Sequence, residues 1–190
     1  MTGIKDQTMT YCEFANDLPS DTDNPNKHYH DRAYGFPIAD DNELFERLVL
    51  EINQAGLSWT LMLKKQAAFQ TAYSGFNIAA VAAYTEADRE RLLNDAGIVR
   101  NKLKVNAAIH NAQQILLLQK EYGSFKNWLD AHHPRSKEEW VKLFKKQFKF
   151  VGGEIVNEFL MSTGYLQGAH TPDCPVYAEV LKQRPKWAEK

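Results

Sequence analysis

From Asp40 to Gly164 the chain is punctuated by residues that open helices and glycines that close them. Asp40 is followed three residues later by Glu43, Thr85 by Asp88 and Ser136 by Glu139, the spacing at which a cap side chain and an acidic side chain satisfy a helix start reciprocally. Ser58 and Ser124 supply two further starts, and Gly56, Gly75 and Gly97 supply stops. Between these marks apolar residues recur at helical spacing, as in Leu44, Phe45, Leu48, Val49, Ile52 and Ala55. A long helix is predicted through "KVNAAIHNAQQILLLQKEYG", and the last clear one through "EIVNEFLMSTG". No segment sustains strand alternation, so the predicted fold is all-α. The 190 residues fit one domain, 1–190, in which segments 1–25 and 172–190 read as largely irregular.

The formal net charge of −1 excludes a protein held to nucleic acid by bulk charge, although Lys142, Lys145, Lys146 and Lys149 form a local basic cluster. No apolar run approaches the ~18 residues of a membrane span, and the N-terminus lacks a basic-then-apolar signal pattern. The expectation is a cytoplasmic protein without membrane contact. There the two cysteines, Cys12 and Cys174, would not form a disulfide.

Three groups of residues can carry chemistry. Glu51 lies just outside the apolar arc of its helix, next to Leu44. It reads either as a half-exposed carboxylate paired with Arg47 one turn back, or as the acid of a pocket. Trp59, thrown back towards the same helix end by "GLSW", would then be an aromatic plate for a flat cation. His170 and Cys174 are four residues apart, and with Cys12 and His30 they can complete a Cys2His2 site for one structural zinc, or remain idle thiols and imidazoles. Such a site would tie the two weakly structured ends together. Finally, "KKQFKFVGGEIVNEFL" reads as a hairpin between two helices. Gly152 and Gly153 allow close backbone approach there, and free N–H groups at the helix start suit a phosphate; a plain structural corner is the other reading.

Together, "YHD" (29–31), "LFERLVLEINQAGLSW" (44–59), "DAGIVRNKLKVNAAI" (95–109), "FKFVG" (148–152) and the His-x3-Cys of "HTPDC" resemble the bacterial 3-methyladenine DNA glycosylase I family of the helix-hairpin-helix superfamily. The resemblance spans about Cys12 to Cys174. It implies a monofunctional enzyme that releases 3-methyladenine from alkylated double-stranded DNA and leaves an abasic site.

The resemblance also implies one zinc on Cys12, His30, His170 and Cys174. Glu51 and Tyr29 would hydrogen-bond the damaged base, Trp59 would stack on it, and Leu57 would probe the gap left by the flipped nucleotide. The hairpin, with Lys149, Val151, Gly152 and Gly153, would grip the DNA backbone. The chain departs from the family where Phe14 and Tyr34 stand in place of tryptophans, and both are expected in the pocket wall. The Asp, Asn and Pro-rich stretch between Cys12 and Tyr29 offers no counterpart for one further aromatic. Asp173 stands near the spacing of an aspartate used by other members of the superfamily, but it lies between two zinc ligands and is assigned no catalytic part. A monomer is expected. Two other readings remain: a non-catalytic lesion-binding module, and a zinc-stabilised helical protein with no nucleic-acid role.

Overall fold

Local capping chemistry sets most helix starts. The computed structural model describes residues 9–19 and 23–189 and, among them, contains eleven α-helices and no strands. They are α1 (Tyr11–Asn16), α2 (Pro25–Arg32), α3 (Asp41–Gln54), α4 (Trp59–Ala72), α5 (Ile78–Ala82), α6 (Glu86–Asn94), α7 (Lys102–Tyr122), α8 (Phe125–His132), α9 (Lys137–Gln147), α10 (Gly153–Ser162) and α11 (Pro175–Lys182). The Asp40 and Ser58 side chains accept from the backbone N–H groups of Glu43 and Leu61, and Thr85 and Ser136 form full capping boxes. Asp41 adds a cap that sequence spacing does not reveal. Its carboxylate accepts from the N–H groups of Phe125 (2.7 Å) and Lys126 (3.0 Å), fixing the start of α8 against the start of α3.

The terminal stretches expected to be irregular differ from that expectation. α1 lies in the first and α11 in the second, each opened by its own N-terminal signal: a Thr10–Glu13 capping box and Pro175 at the first helical position. α2 and α5 were likewise not anticipated. All four are at most eight residues long, too short for apolar periodicity to stand out.

α3 is the centre of the molecule. It packs against α4, α7, α8 and α10, and every residue from Leu44 to Asn53 except Glu46 is buried. Phe45, Leu48 and Ile52 meet Met62 and Phe69 of α4, Ile109 and Ile115 of α7, and Phe159 of α10 in one continuous core. Truncating a residue as enclosed as Phe45 would cost about 3–5 kcal/mol. The polar side of α3 is carried by Glu43 and Glu46 and does not reach Glu51, which therefore cannot be the half-exposed residue that one-face periodicity allows. It is 3% exposed.

Candidate functional site

The end of α3 is built around its last turn. Ala55 (φ −53°, ψ 113°) and Gly56 (φ +85°) make a type II turn from Gln54 to Leu57, closed by the Leu57 N–H donating to the Gln54 carbonyl at 2.6 Å. The positive φ requires a glycine-like residue at 56. The turn leaves Leu57 partly exposed and returns the chain so that Trp59 opens α4 beside Tyr29, ring centroids 5.0 Å apart. Lys104, from "DAGIVRNKLKVNAAI", fixes the turn. Its buried ammonium donates to the carbonyls of Asn53 (2.9 Å) and Ala55 (2.8 Å), capping α3 with positive charge at the negative end of the helix.

Above Glu51 opens a cavity of about 390 Å³, lined by Tyr11, Tyr29, Tyr34, Trp59 and three carboxylates, Glu51, Glu154 and Glu158. Its size suits a small flat ligand. Tyr29 and Tyr34 lie 5.5 Å apart, and Tyr11 stands edge-on to Tyr34 at 5.5 Å. Four of the predicted residues therefore meet in one place: Tyr29, Tyr34, Glu51 and Trp59. Phe14 does not join them. It lies behind Tyr11, their rings stacked at 6.3 Å, and is 38% exposed. Tyr11 takes the wall position instead, an aromatic before Cys12 where sequence reasoning looked only after it.

Arg47 is not the partner of Glu51. Among the described residues no ion pair joins them. The guanidinium sits 4.9 Å over the Tyr29 ring and donates to the Tyr29 hydroxyl (3.1 Å) and the Ser162 carbonyl (3.2 Å). The Glu51 carboxylate makes no hydrogen bond to a described residue. Burial pushes its pKa up to about 8; the Arg47 charge opposes this shift and Glu158 adds to it. Burial also holds the Tyr29 and Tyr34 phenols well above their ordinary range, Arg47 opposing the shift at Tyr29 and Glu158 adding to it at Tyr34, so both remain protonated. A sealed carboxylate under aromatic rings is arranged to receive positive charge.

A second constellation adjoins the first. Cys12, His30, His170 and Cys174 are all buried, and one donor atom from each lies within 4.8 Å of the others. Cys12 Sγ is 3.6 Å from His170 Nδ1, and Cys174 Sγ is 3.6 Å from both His170 Nδ1 and His30 Nε2. Each imidazole has its other nitrogen occupied. His30 Nδ1–H donates to Asp31 Oδ1 and His170 Nε2–H to the Tyr34 carbonyl, both at 2.7 Å. These outer bonds turn the free nitrogens towards the sulfurs, the second-shell arrangement of a metal-binding histidine. The cysteines are unbridged. The group can hold one metal ion, and the donors come from α1, α2 and the chain leading into α11.

The hairpin joins α9 to α10. Val151 is buried, while Lys149 and Phe150 face outwards. Asn111, fully buried in α7, grips Lys149 at both backbone groups, accepting from its N–H (2.8 Å) and donating to its carbonyl (3.1 Å). A Cβ added at Gly152 or Gly153 would meet nothing within 4 Å, so interior packing does not demand glycine at either place. The exposed Lys142, Lys145, Lys146 and Lys149 flank the bend. No helix among the described residues is long and apolar enough to cross a membrane.

Asn111, Lys104, Tyr11 and Glu158 are the contributors that sequence reasoning did not single out. Asn111, Lys104 and Glu158 act through partners 38 to 124 residues away in the chain, as in Asn111 with Lys149 and Glu158 with Tyr34, and Tyr11 is set by the docking of α1.

The sequence and the fold are similar to those of known proteins. Residues 20–140 match the family model described as methyladenine glycosylase. DNA-3-methyladenine glycosylase 1 of Escherichia coli (strain K12) is 34% identical over 168 residues, covering 78% of this chain and 89% of that protein. Among solved structures, a tyrosine-to-phenylalanine variant of 3-methyladenine DNA glycosylase I in complex with 3-methyladenine superposes with a TM-score of 0.77 at 32% identity, covering 88% of this chain and 97% of the other. The Staphylococcus aureus 3-methyladenine DNA glycosylase I gives 0.76 at 32% identity, covering 88% and 96%. With the family model matched over most of the chain and the fold shared along it, the chain belongs to the methyladenine glycosylase family.

Proposed function

We propose that the protein is a monofunctional DNA glycosylase that hydrolyses the N-glycosidic bond of 3-methyladenine in alkylated double-stranded DNA, releasing the free base and leaving an abasic site. The observation that carries this reading is Glu51, a sealed carboxylate with no protein partner among the described residues, at the floor of a cavity walled by Tyr29, Tyr34 and Trp59. The relatives named for 3-methyladenine support it.

Alkylation at N3 makes adenine a cation and a good leaving group, so the enzyme needs little acid assistance. Its work is to extrude the nucleotide, hold the cationic base and admit water at the sugar carbon. Glu51 accepts a hydrogen bond from the base and, ionised in its presence, stabilises the positive charge. Trp59 and Tyr29 present ring faces to the base, each worth about 1 kcal/mol or more for a desolvated cation and less for neutral adenine. The hydroxyl of Tyr29, already accepting from Arg47, has its proton free to donate.

Leu57, on its tight turn, fills the gap in the stack. The Lys149–Gly153 hairpin, acting as a helix-hairpin-helix element, grips phosphates through the backbone N–H groups at the start of α10. No lysine among the described residues lines the cavity, so no amine is placed there to form the Schiff base that strand cleavage needs, which is consistent with plain hydrolysis. A DNA substrate puts the work in the cytoplasm, and the chain is taken to act as a monomer.

Zinc is the metal that fits Cys12, His30, His170 and Cys174. Ordinary Zn–S and Zn–N bonds about a tetrahedron separate sulfur from nitrogen by about 3.6 Å, the spacing found between both sulfurs and their imidazoles. All four positions are protein donors, so the ion would serve as a staple between the chain ends with no position left for a reactive water.

The direct test is incubation with methylated DNA and chromatography of the released bases. Release of 3-methyladenine by the wild type, and its loss in Glu51→Gln, are the expected results. Binding of methylated DNA without release of any base would instead identify a lesion-binding module.

A further inference from the structure

Three carboxylates face the cavity, and they differ in depth. Glu51 is sealed at 3% exposure, Glu158 is half-buried, and Glu154 is exposed and held by Lys137 at 3.0 Å. Glu154 is thus already paired on the surface. Glu158 is different. It projects from the second turn of α10 into the cavity, and the Tyr34 hydroxyl donates to its Oε2 at 3.2 Å. The hydroxyl that orients Glu158 is a group that a tryptophan at position 34 would lack.

We propose that Glu158, positioned by Tyr34, is a second recognition carboxylate that contacts the flipped cationic base near the cavity mouth and contributes to selection for positive charge. The proposal rests on the reading of this cavity as the base pocket. Of Glu51 and Glu158, both lining the cavity, Glu158 is the less buried, and the exocyclic amine of the purine cation carries two N–H groups, enough for one acceptor at each depth. Because α10 begins at the hairpin, DNA gripped there is held by the same helix that carries Glu158.

Glu51 also senses Glu158. Glu158 raises the pKa of Glu51, while Glu158 itself is raised by burial; the Tyr34 hydrogen bond opposes that shift, Glu154 adds to it and Lys137 opposes it. The other groups facing the pair are Arg47 from within α3 and the phenols of Tyr29 and Tyr11. Removing the Glu158 charge leaves Glu51 easier to ionise.

The experiment measures the pH dependence of kcat/KM for base release from methylated DNA in the full chain carrying Glu158→Gln or Glu158→Asp, with affinity for a methylated and an unmethylated duplex measured separately, because the base carries its charge only while bonded to the sugar. Expected for Glu158→Gln are a several-fold lower kcat/KM at neutral pH, a smaller ratio of affinities for the methylated and the unmethylated duplex, and an acid limb displaced to lower pH. Glu158→Asp, which keeps the charge, should hold the limb near its wild-type position. A folded Glu158→Gln protein with the wild-type limb and the wild-type selectivity overturns the proposal. A wild-type chain that releases no base from methylated DNA overturns instead the reading of the pocket on which it rests, so the two failures are separable.

Discussion

Two buried polar constellations lie side by side in this protein, and they are satisfied to very different degrees. In the Cys12–His30–His170–Cys174 cluster the donors converge on one point, and each imidazole is anchored behind by a carboxylate or a carbonyl. In the neighbouring cavity Glu51 is equally buried, but its carboxylate has no partner among the described residues and is forced towards its neutral form. Buried polar groups that find all their partners hold a fold together; one left without them marks a place kept ready for a ligand. The adjacency matters as well. Tyr29 and His30 are successive residues of α2, and Tyr34 supplies its carbonyl to His170 and its ring to the cavity, so the cluster positions the pocket wall.

That contrast predicts opposite outcomes for mutations at the two places. The largest effect belongs to the cluster. Cys174→Ala, or removal of the metal by a chelator, should cost on the order of 3–5 kcal/mol, roughly 6–20 °C in Tm. Elemental analysis of protein purified without chelator should find one zinc per chain. A protein without metal whose Tm ignores chelator would leave the cluster as a mere packing of thiols and rings.

Glu51→Gln should behave in the reverse sense, losing function while gaining stability. Loss of a charge-assisted hydrogen bond to the base should weaken 3-methyladenine binding by about 1–3 kcal/mol, and base release should fall at least as far. The stability effect has a sign fixed by the raised pKa. The folded carboxyl ionises near 8 and the unfolded one near 4.5, so the folded state holds an extra proton between those values. The wild type therefore loses stability as pH rises through that window. The Gln variant, having no such proton, should gain relative to wild type as pH rises, with the gain largest above pH 8. Thermal melts of both proteins from pH 5 to pH 9 check this; parallel curves would mean that Glu51 is not titrating in a sealed site.

The smallest effect is expected at the hairpin, which lies outside both constellations. Gly152→Val has room inside the fold and should leave Tm nearly unchanged. It should weaken DNA binding by about the value of one backbone hydrogen bond, roughly 0.5–1.5 kcal/mol, without altering base preference. Equal affinity for damaged DNA in the variant would make the bend a structural corner only.

The helix starts were legible in the sequence because capping is local: Asp40, Ser58, Thr85, Ser124 and Ser136 each satisfy backbone groups within three residues. The four Cys and His residues that meet in one cluster, and four of the side chains that meet in the cavity, could be picked out from short motifs and the family they resemble. Periodicity could not reveal the burial of Glu51, because it assigns burial from one apolar arc, whereas the side of α3 that carries Glu51 is covered by segments distant in sequence. Nor could it choose Tyr11 over Phe14. The rotation of a six-residue helix is fixed where Cys12 docks against His170 and Cys174, about 160 residues away in sequence. Local chemistry thus determined where the helices begin and which residues could react. Only tertiary packing decided which of them lost water and which found a partner, because burial and long-range hydrogen bonds do not exist until the distant segments meet.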